Sequence, residues 1–376
     1  MQRTYISDLS NHTDTEVLIK GWITVRRDQG KMIFFDFRDA TGTVQGVVLP
    51  ASGAMETAKE TRTEWVVSVS GKVNKRPERN VKAGVVNGDI ELEVLGMEIL
   101  NQAETPVFDL SSDTREINEE TRLTNRYLDI RSERLQTNLR MRHKVQNFVR
   151  GKLDGQNFVE VETPIFTKST PEGARDYVVP SRIYPGKFYA LPQSPQQYKQ
   201  LLMAGGIERY YQFARCMRDE DLRGDRQPEF TQLDMEISFA TEEEIMSVTE
   251  SLLIELVGKL YPEKKIQAIP FPRIPYKEAM EKYGNDRPDI RENKEDPNLL
   301  AFCWVVDFPF FEKTANSDNP QAEGEWTFTH NPFSLSKPEH VENLKERKNI
   351  GEIIAAQYDI VLNGYEIGGG SVRAHN

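Results

Sequence analysis

Along residues 1–105, apolar and polar positions alternate over short runs. "EVLIKGWITVRRD", "KMIFFDFRDATGTVQGVVL", "EWVVSVSGKVNKR" and "GDIELEVLGMEIL" are rich in β-formers and are separated by Gly, Asn, Asp and Pro turns. Five short strands in a segment this small fit a β-barrel, with the OB-fold as the candidate. Residues 106–134 are polar and read as a linker with one short helix. From 135 the period changes: Leu135, Leu139, Val145, Phe148, Val149 and Leu153 recur on one helical face, and Gly155 closes the helix. Strand-like runs follow, "FVEVETPIF", "FYALPQ", "RYYQFARCM" and "FTQLDMEISF". Thr241 with Glu244 forms a capping box for a helix that runs to Pro262. "AFCWVVDFPFF" is another apolar segment, and "NIGEIIAAQYDIVLN" reads as helical. Strands and helices mix without a βαβ rhythm, which predicts an antiparallel sheet flanked by helices in residues 135–376, and an α+β chain.

Length and charge sharpen this outline. The 376 residues suffice for two domains, and no apolar run approaches a membrane span. The start "MQRTYISDLS" has no apolar signal region, and two cysteines give neither a disulfide framework nor a zinc spacing. The expectation is a cytoplasmic protein without membrane contact. A net charge of −11 argues against nucleic acid as a partner of the whole surface. The barrel segment departs from it, with basic clusters at Arg26, Arg27, Lys31 and Arg38, then Lys72, Lys75, Arg76, Arg79 and Lys82. A basic face acts within a Debye length whatever the total charge. Phe34 and Phe35 are neighbours on one strand, so one points inward and the other can stack on a base.

One stretch breaks the apolar pattern. "RCMRDEDLRGDRQPEF", residues 215–230, is a dense turn of alternating charge between two apolar runs. Alone it reads as a solvated hairpin tip whose ion pairs contribute little. Its company changes that reading. "TPEGARDY" (170–177), "LPQSPQQYKQLL" (191–202), this turn and "NGYEIGGGSVR" (363–373) occur in the order seen in class II aspartyl-tRNA synthetases of the bacterial type, which the chain resembles over almost its whole length.

The resemblance implies activation of L-aspartate by ATP to aspartyl-adenylate, and transfer of the aspartyl group to the 3′ end of tRNA(Asp), with tRNA(Asn) as a second candidate. Catalysis would come from positioning and from cations aimed at phosphate oxygens. By the match, Arg218 holds the α-phosphate and the amino acid's carboxylate. Glu220 accepts from the adenine amino group, and Gln227 in the turn faces the nucleotide. Lys199 and Arg373 take the side-chain carboxylate of aspartate, with Asp234 fixing both. Glu172 meets the ammonium group, while Gln196 and His330 approach the bound amino acid. Many bacterial members carry two adjacent histidines at that point; here Asn331 follows His330. Asp359 and Glu366 match the pair that binds Mg²⁺, which takes one or two carboxylates beside phosphate oxygens. In the barrel, Phe34 stacks on an anticodon base, Gln45 reads a base edge and Arg27 adds a contact. The segment from Leu135 to Pro164 matches the dimer-forming first motif, which implies a homodimer.

The chain departs from the family twice. "YGNDRPDI" reaches "LLAFCWVVDFP" through only "RENKEDPN", where bacterial members insert a large domain. The sequence stops at "SVRAHN", before the third motif, which stacks on adenine and grips the γ-phosphate. The expectation is a truncated chain with little aminoacylation activity of its own. The rival readings are an asparaginyl-tRNA synthetase, against which Lys199, Asp234 and Arg373 speak, and a non-catalytic tRNA-binding paralogue.

Overall fold

The computed structural model describes every residue except 111, 112, 171, 223–225, 317–323 and 376. The chain divides into two compact units, Met1–Arg142 and His143–Asn376.

In the first unit, β1 (Glu16–Asp28), β2 (Ile33–Arg38), β3 (Thr43–Val48), β4 (Val66–Lys75) and β5 (Ile90–Asn101) close a barrel in the order β1-β2-β3-β5-β4. Period-two alternation sets the inside: Val17, Ile19 and Ile23 of β1, Val67, Val69 and Val73 of β4, and Ile90, Leu92 and Val94 of β5 are buried. Gly21 is required where the barrel pulls tight, since a Cβ there would lie 2.2 Å from the Arg38 carbonyl oxygen. The expected OB-fold strands are therefore all present. Phe35 and Phe37 are fully buried and stack at 5.3 Å, whereas Phe34 is only half-buried.

After the barrel come a 3₁₀ turn (Thr114–Glu116) and two short helices (Glu119–Thr124, Arg126–Asp129), one more helix than the linker reading anticipated. Asp129, fully buried, accepts from Thr114 Oγ1 and from Arg126 Nη1, each at 2.7 Å. Glu64, also buried, pairs with Arg38 and Arg131, and Arg38 donates to the Arg131 carbonyl at 2.8 Å. The Trp22 ring lies 5.9 Å from each of these guanidiniums.

The long helix α1 (Glu133–Asp154) starts and stops where its pattern indicated. Leu139 does not belong to its buried face, being 51% exposed. In the second unit, Val145, Phe148, Val149 and Leu153 pack on the first of its two larger sheets. That sheet contains β6 (Val159–Glu160), β7 (Arg209–Met217) and β8 (Glu229–Ile237) in the order β8-β7-β6. The second sheet contains β9 (Arg273–Pro275), β10 (Phe302–Val306), β11 (Gln357–Leu362) and β12 (Tyr365–Ser371) in that order. The neighbours β7/β8, β10/β11 and β11/β12 are antiparallel, while β6/β7 and β9/β10 are parallel.

The segment 357–362 is a correction: sequence read it as helix, and it is the strand β11. Its residues are buried on both faces, so the apolar run carries no alternation that would separate strand from helix. The helix α2 (Gln196–Ala204) comes directly before β7. The helix α3 (Glu242–Leu260) opens with the anticipated capping box. It packs Val248, Leu252 and Leu256 on the first sheet, and Met246, Leu253 and Val257 on the second. Glu250 of α3 accepts from the Phe271 amide (2.9 Å) and the Trp304 indole (3.3 Å), which fixes it to the second sheet.

Candidate active site

The charged turn joins two strands in register from Met217↔Glu229 to Arg209↔Ile237. Its base is closed by the Arg218 amide donating to the Pro228 carbonyl at 2.9 Å. Residues 223–225 of the turn lie outside the described residues. The hairpin's own edge strand β8 and the edge strand β12 of the second sheet both line one cavity of about 2100 Å³. Glu172, Lys199, Arg218, Glu220, Gln227, Asp234, His330, Glu366 and Arg373 all line it, so Lys199, Arg218 and Arg373 share a cavity. Gln196 and Asp359 do not line it. Gln196 is buried one helical turn before Lys199, and Asp359 is buried beneath β12.

The centre of the cavity is an ion network on a buried lysine. Lys199 Nζ, from α2, donates to Asp234 Oδ1 at 2.6 Å and lies 3.2 Å from Glu236 Oε2. Arg373 Nε lies 3.7 Å from Glu236 Oε1. Asp234 thus holds Lys199 alone, and the acid beside Arg373 is Glu236. The expectation that Asp234 fixes both cations is corrected: it is Glu236, on the same strand, that stands against both Lys199 and Arg373. Glu236 was missed, although it stands two residues after Asp234 on a strand and therefore on the same face. The network keeps spare capacity: Gln196 Nε2 and Arg373 Nε are buried without a hydrogen-bond partner. Arg373 donates to Ser371 Oγ at 2.9 Å and sits 5.1 Å from the Phe333 ring.

Arg218 Nε donates to the Gln193 carbonyl at 3.3 Å, and its guanidinium stands 5.2 Å from the Phe230 ring. Glu220 lies 3.8 Å from Arg226 across the turn. Glu172 accepts from Thr170 Oγ1 at 2.8 Å and from Ser194 Oγ, and burial pushes its carboxyl above the usual range. His330 packs edge-on against Phe308 at 4.8 Å, and burial lowers its imidazole below the usual value. Asp359 faces Gly369 across the β11/β12 pair, and a Cβ at Gly369 would lie 2.2 Å from Asp359 Oδ1. Burial, then the neighbouring Glu366, drives the Asp359 carboxyl up. Glu366 is also raised, chiefly by burial, with Arg226 opposing. Asp286, a cavity residue that sequence reading passed over, adds negative charge to both.

The barrel gathers its own set. Register places Arg27 opposite Phe34 and Asp36 opposite Gln45 on the outer face, with Arg27 bonded to both Asp36 oxygens at 3.1 and 3.2 Å.

Comparison with known proteins gives these sites a context. Residues 17–100 match the OB-fold nucleic acid binding domain, and residues 118–376 match the tRNA synthetases class II (D, K and N). An aspartate–tRNA(Asp/Asn) ligase of Rubrobacter xylanophilus is 51% identical over 309 residues, covering 82% of this chain and 51% of the relative. An aspartate–tRNA ligase of Listeria welshimeri is 36% identical over 502 aligned positions, covering 99% of this chain and 82% of the relative. With 376 residues aligned over 502 positions, that relative carries interior residues this chain lacks. The chain spans about half the length of several curated relatives it matches. Among solved structures, an asparaginyl-tRNA synthetase of Pyrococcus horikoshii superposes with a TM-score of 0.77 at 22% identity, covering 100% of this chain and 84% of that one. An aspartyl-tRNA synthetase from Leishmania major gives 0.74 at 20%, covering 100% and 81%. These two establish the fold. The family match spans the cavity and its ion network, and on that ground the chain belongs to the class II tRNA synthetases of the D, K and N type.

Proposed function

We propose that the cavity binds L-aspartate and ATP and forms aspartyl-adenylate, and that the barrel binds the anticodon of tRNA(Asp), with tRNA(Asn) as the second candidate. One observation carries the amino-acid assignment: two cations, Lys199 and Arg373, lie against an acidic frame in a cavity that Arg218 also lines. The two acids already balance the two cations, so what remains is donor capacity: Arg373 Nε is buried without a hydrogen bond, and a carboxylate accepts from a guanidinium more strongly than a neutral amide oxygen does.

In the activation step an oxygen of the α-carboxylate of aspartate attacks the α-phosphorus and pyrophosphate leaves. No protein atom forms a bond. Arg218 grips both the attacking carboxylate and the phosphate, which suits the planar guanidinium. Glu172 faces the ammonium, Gln196 and His330 orient the amino acid, and Glu220 and Gln227 hold the nucleotide. Asp359 and Glu366 suit Mg²⁺ as two oxygen ligands beside a glycine backbone that leaves room at Asp359. Among the described residues no larger group of metal-ligating side chains competes with them. When bound there, the ion would neutralise phosphate charge. In the barrel, Phe34 offers a stacking surface and Gln45 a base-edge contact, with Arg27 beside them. Transfer of the aspartyl group to the tRNA 3′ end would follow at the same cavity.

A second copy of the chain is the remaining partner. Exposed apolar residues near the first motif support this, among them Val159, Phe166, Val178 and Phe188, with the Phe166 and Tyr189 rings 5.6 Å apart. Among the described residues no helix is long and apolar enough to cross a membrane.

Calorimetry with L-aspartate and L-asparagine tests the substrate. Aspartate should bind at least about a hundredfold more tightly, and equal affinities would refute the assignment. Aspartate-dependent ATP–pyrophosphate exchange measures the chemical step.

A further inference from the structure

Gln193 is 1% exposed and lies between the Phe188–Ala190 strand and α2. No motif comparison singled it out. Its side-chain amide is committed to one loop. Gln193 Oε1 accepts from the Ala174 amide at 3.0 Å, and Nε2 donates to the Ala174 carbonyl at 2.9 Å and to Asp176 Oδ1. A side chain bonded to both the N–H and the C=O of one residue acts as a short strand would, fixing that residue in place and in rotation. The main chain of Gln193 does something separate: its carbonyl accepts from Arg218 Nε at 3.3 Å. The next residue, Ser194, donates to Glu172, two positions before Ala174. On its far side the loop is held by the Asp219 amide donating to the Arg175 carbonyl at 3.0 Å. Gly173, at φ +105°, supplies the bend between Glu172 and Ala174.

We propose that Gln193 is a positioning residue for adenylation, which holds the Glu172 loop over the cavity with its side chain and aims Arg218 with its main-chain carbonyl. This rests on the reading of the cavity as the aspartate and ATP site, where Glu172 meets the ammonium and Arg218 the phosphate. The two groups are set from one residue, so amino-acid capture and phosphate grip share a fixed geometry. The amide is needed in both senses. A carboxylate at this position keeps the bond from the Ala174 amide, loses the two donated bonds and faces Asp176 with like charge.

Two measurements on the full chain decide it. The first is hydrogen–deuterium exchange of peptides covering 170–177 without ligand. In Gln193→Met and in the isosteric Gln193→Glu, exchange there should rise about tenfold or more, the size expected for one or two lost hydrogen bonds, with barrel peptides unchanged. The second is calorimetry with L-aspartate, whose affinity should fall by a similar factor. Gln193→Glu combined with Asp176→Asn restores a donor opposite the carboxylate and should recover part of both losses, which a general packing defect would not. Wild-type exchange in this loop for both single variants overturns the proposal, as does a double variant no better than Gln193→Glu. If the unaltered chain fails to bind aspartate, the reading of the cavity falls, while the ligand-free exchange rates still decide what Gln193 does.

Discussion

The barrel unit and the cavity unit both bury charge, and they treat it differently. In the first unit Glu64 is 2% exposed and is met by Arg38 and Arg131, while Asp129 is met by Thr114 and Arg126. These acids are held by groups of the same unit, around a closed barrel in which every strand has two neighbours. In the second unit the buried Lys199 and Asp234 belong to a network that ends on a cavity, with Arg373 Nε still without a hydrogen bond. Around that cavity the edge strands β8 and β12 each pair on one side only. Burial of charge alone therefore does not mark a functional site. What marks it is a network with bonding capacity left over, beside a cavity that its cations line.

The largest effect should come from breaking the network at its centre. Lys199→Met leaves the buried Asp234 without its cation and Glu236 with Arg373 alone. We expect a loss of about 3–5 kcal/mol in denaturant unfolding, together with loss of aspartate binding by calorimetry. A variant with unchanged stability would mean that the acids are solvated. Next, Phe35→Ala empties the barrel centre and should cost about 3–4 kcal/mol, read as melting of the first unit. Its neighbour gives the contrast. Phe34→Ala should leave melting almost unchanged and weaken anticodon-stem RNA binding by about 1–3 kcal/mol, measured by filter binding at fixed salt. Equal melting losses at the two positions would contradict the inward and outward assignment.

The smallest effect is a pH dependence. Burial raises the Glu172 carboxyl, so this group is ionised only above a value higher than that of an ordinary glutamate. Aspartate affinity should hold at higher pH and fall as the pH drops through that raised value, before ordinary carboxylates protonate. Glu172→Gln should bind weakly and lose this acid limb. Calorimetry across pH distinguishes the two profiles.

Much of the barrel could be read from period-two alternation, because one face of each strand is apolar and the other is not. The capping box of α3 was legible for a similar reason, being local chemistry at fixed spacing. β11 was misread because burial on both faces removes the alternation. The site residues became visible through the order of motifs. Glu236 could have been found from the strand period, and its pairing with Arg373 could not, since Arg373 lies beyond the end of β12, far along the chain. Gln193 was hidden for another reason: its bonds reach Ala174 and Arg218, far away along the chain, and the one to Arg218 uses its main chain, which the side chain's identity does not encode.

One helix gives the second unit a mechanical property. Leu252 and Leu256 of α3 lean on one sheet while Leu253 and Val257 lean on the other, so the two plates share a single spacer. The gape between them is then governed by side-chain volume along that spacer, whose Leu252, Leu253 and Leu256 also line the cavity. Trimming Leu253 would let the β11/β12 plate settle inward and carry Arg373 with it, altering the width of the cavity from its apolar wall without removing a charged group.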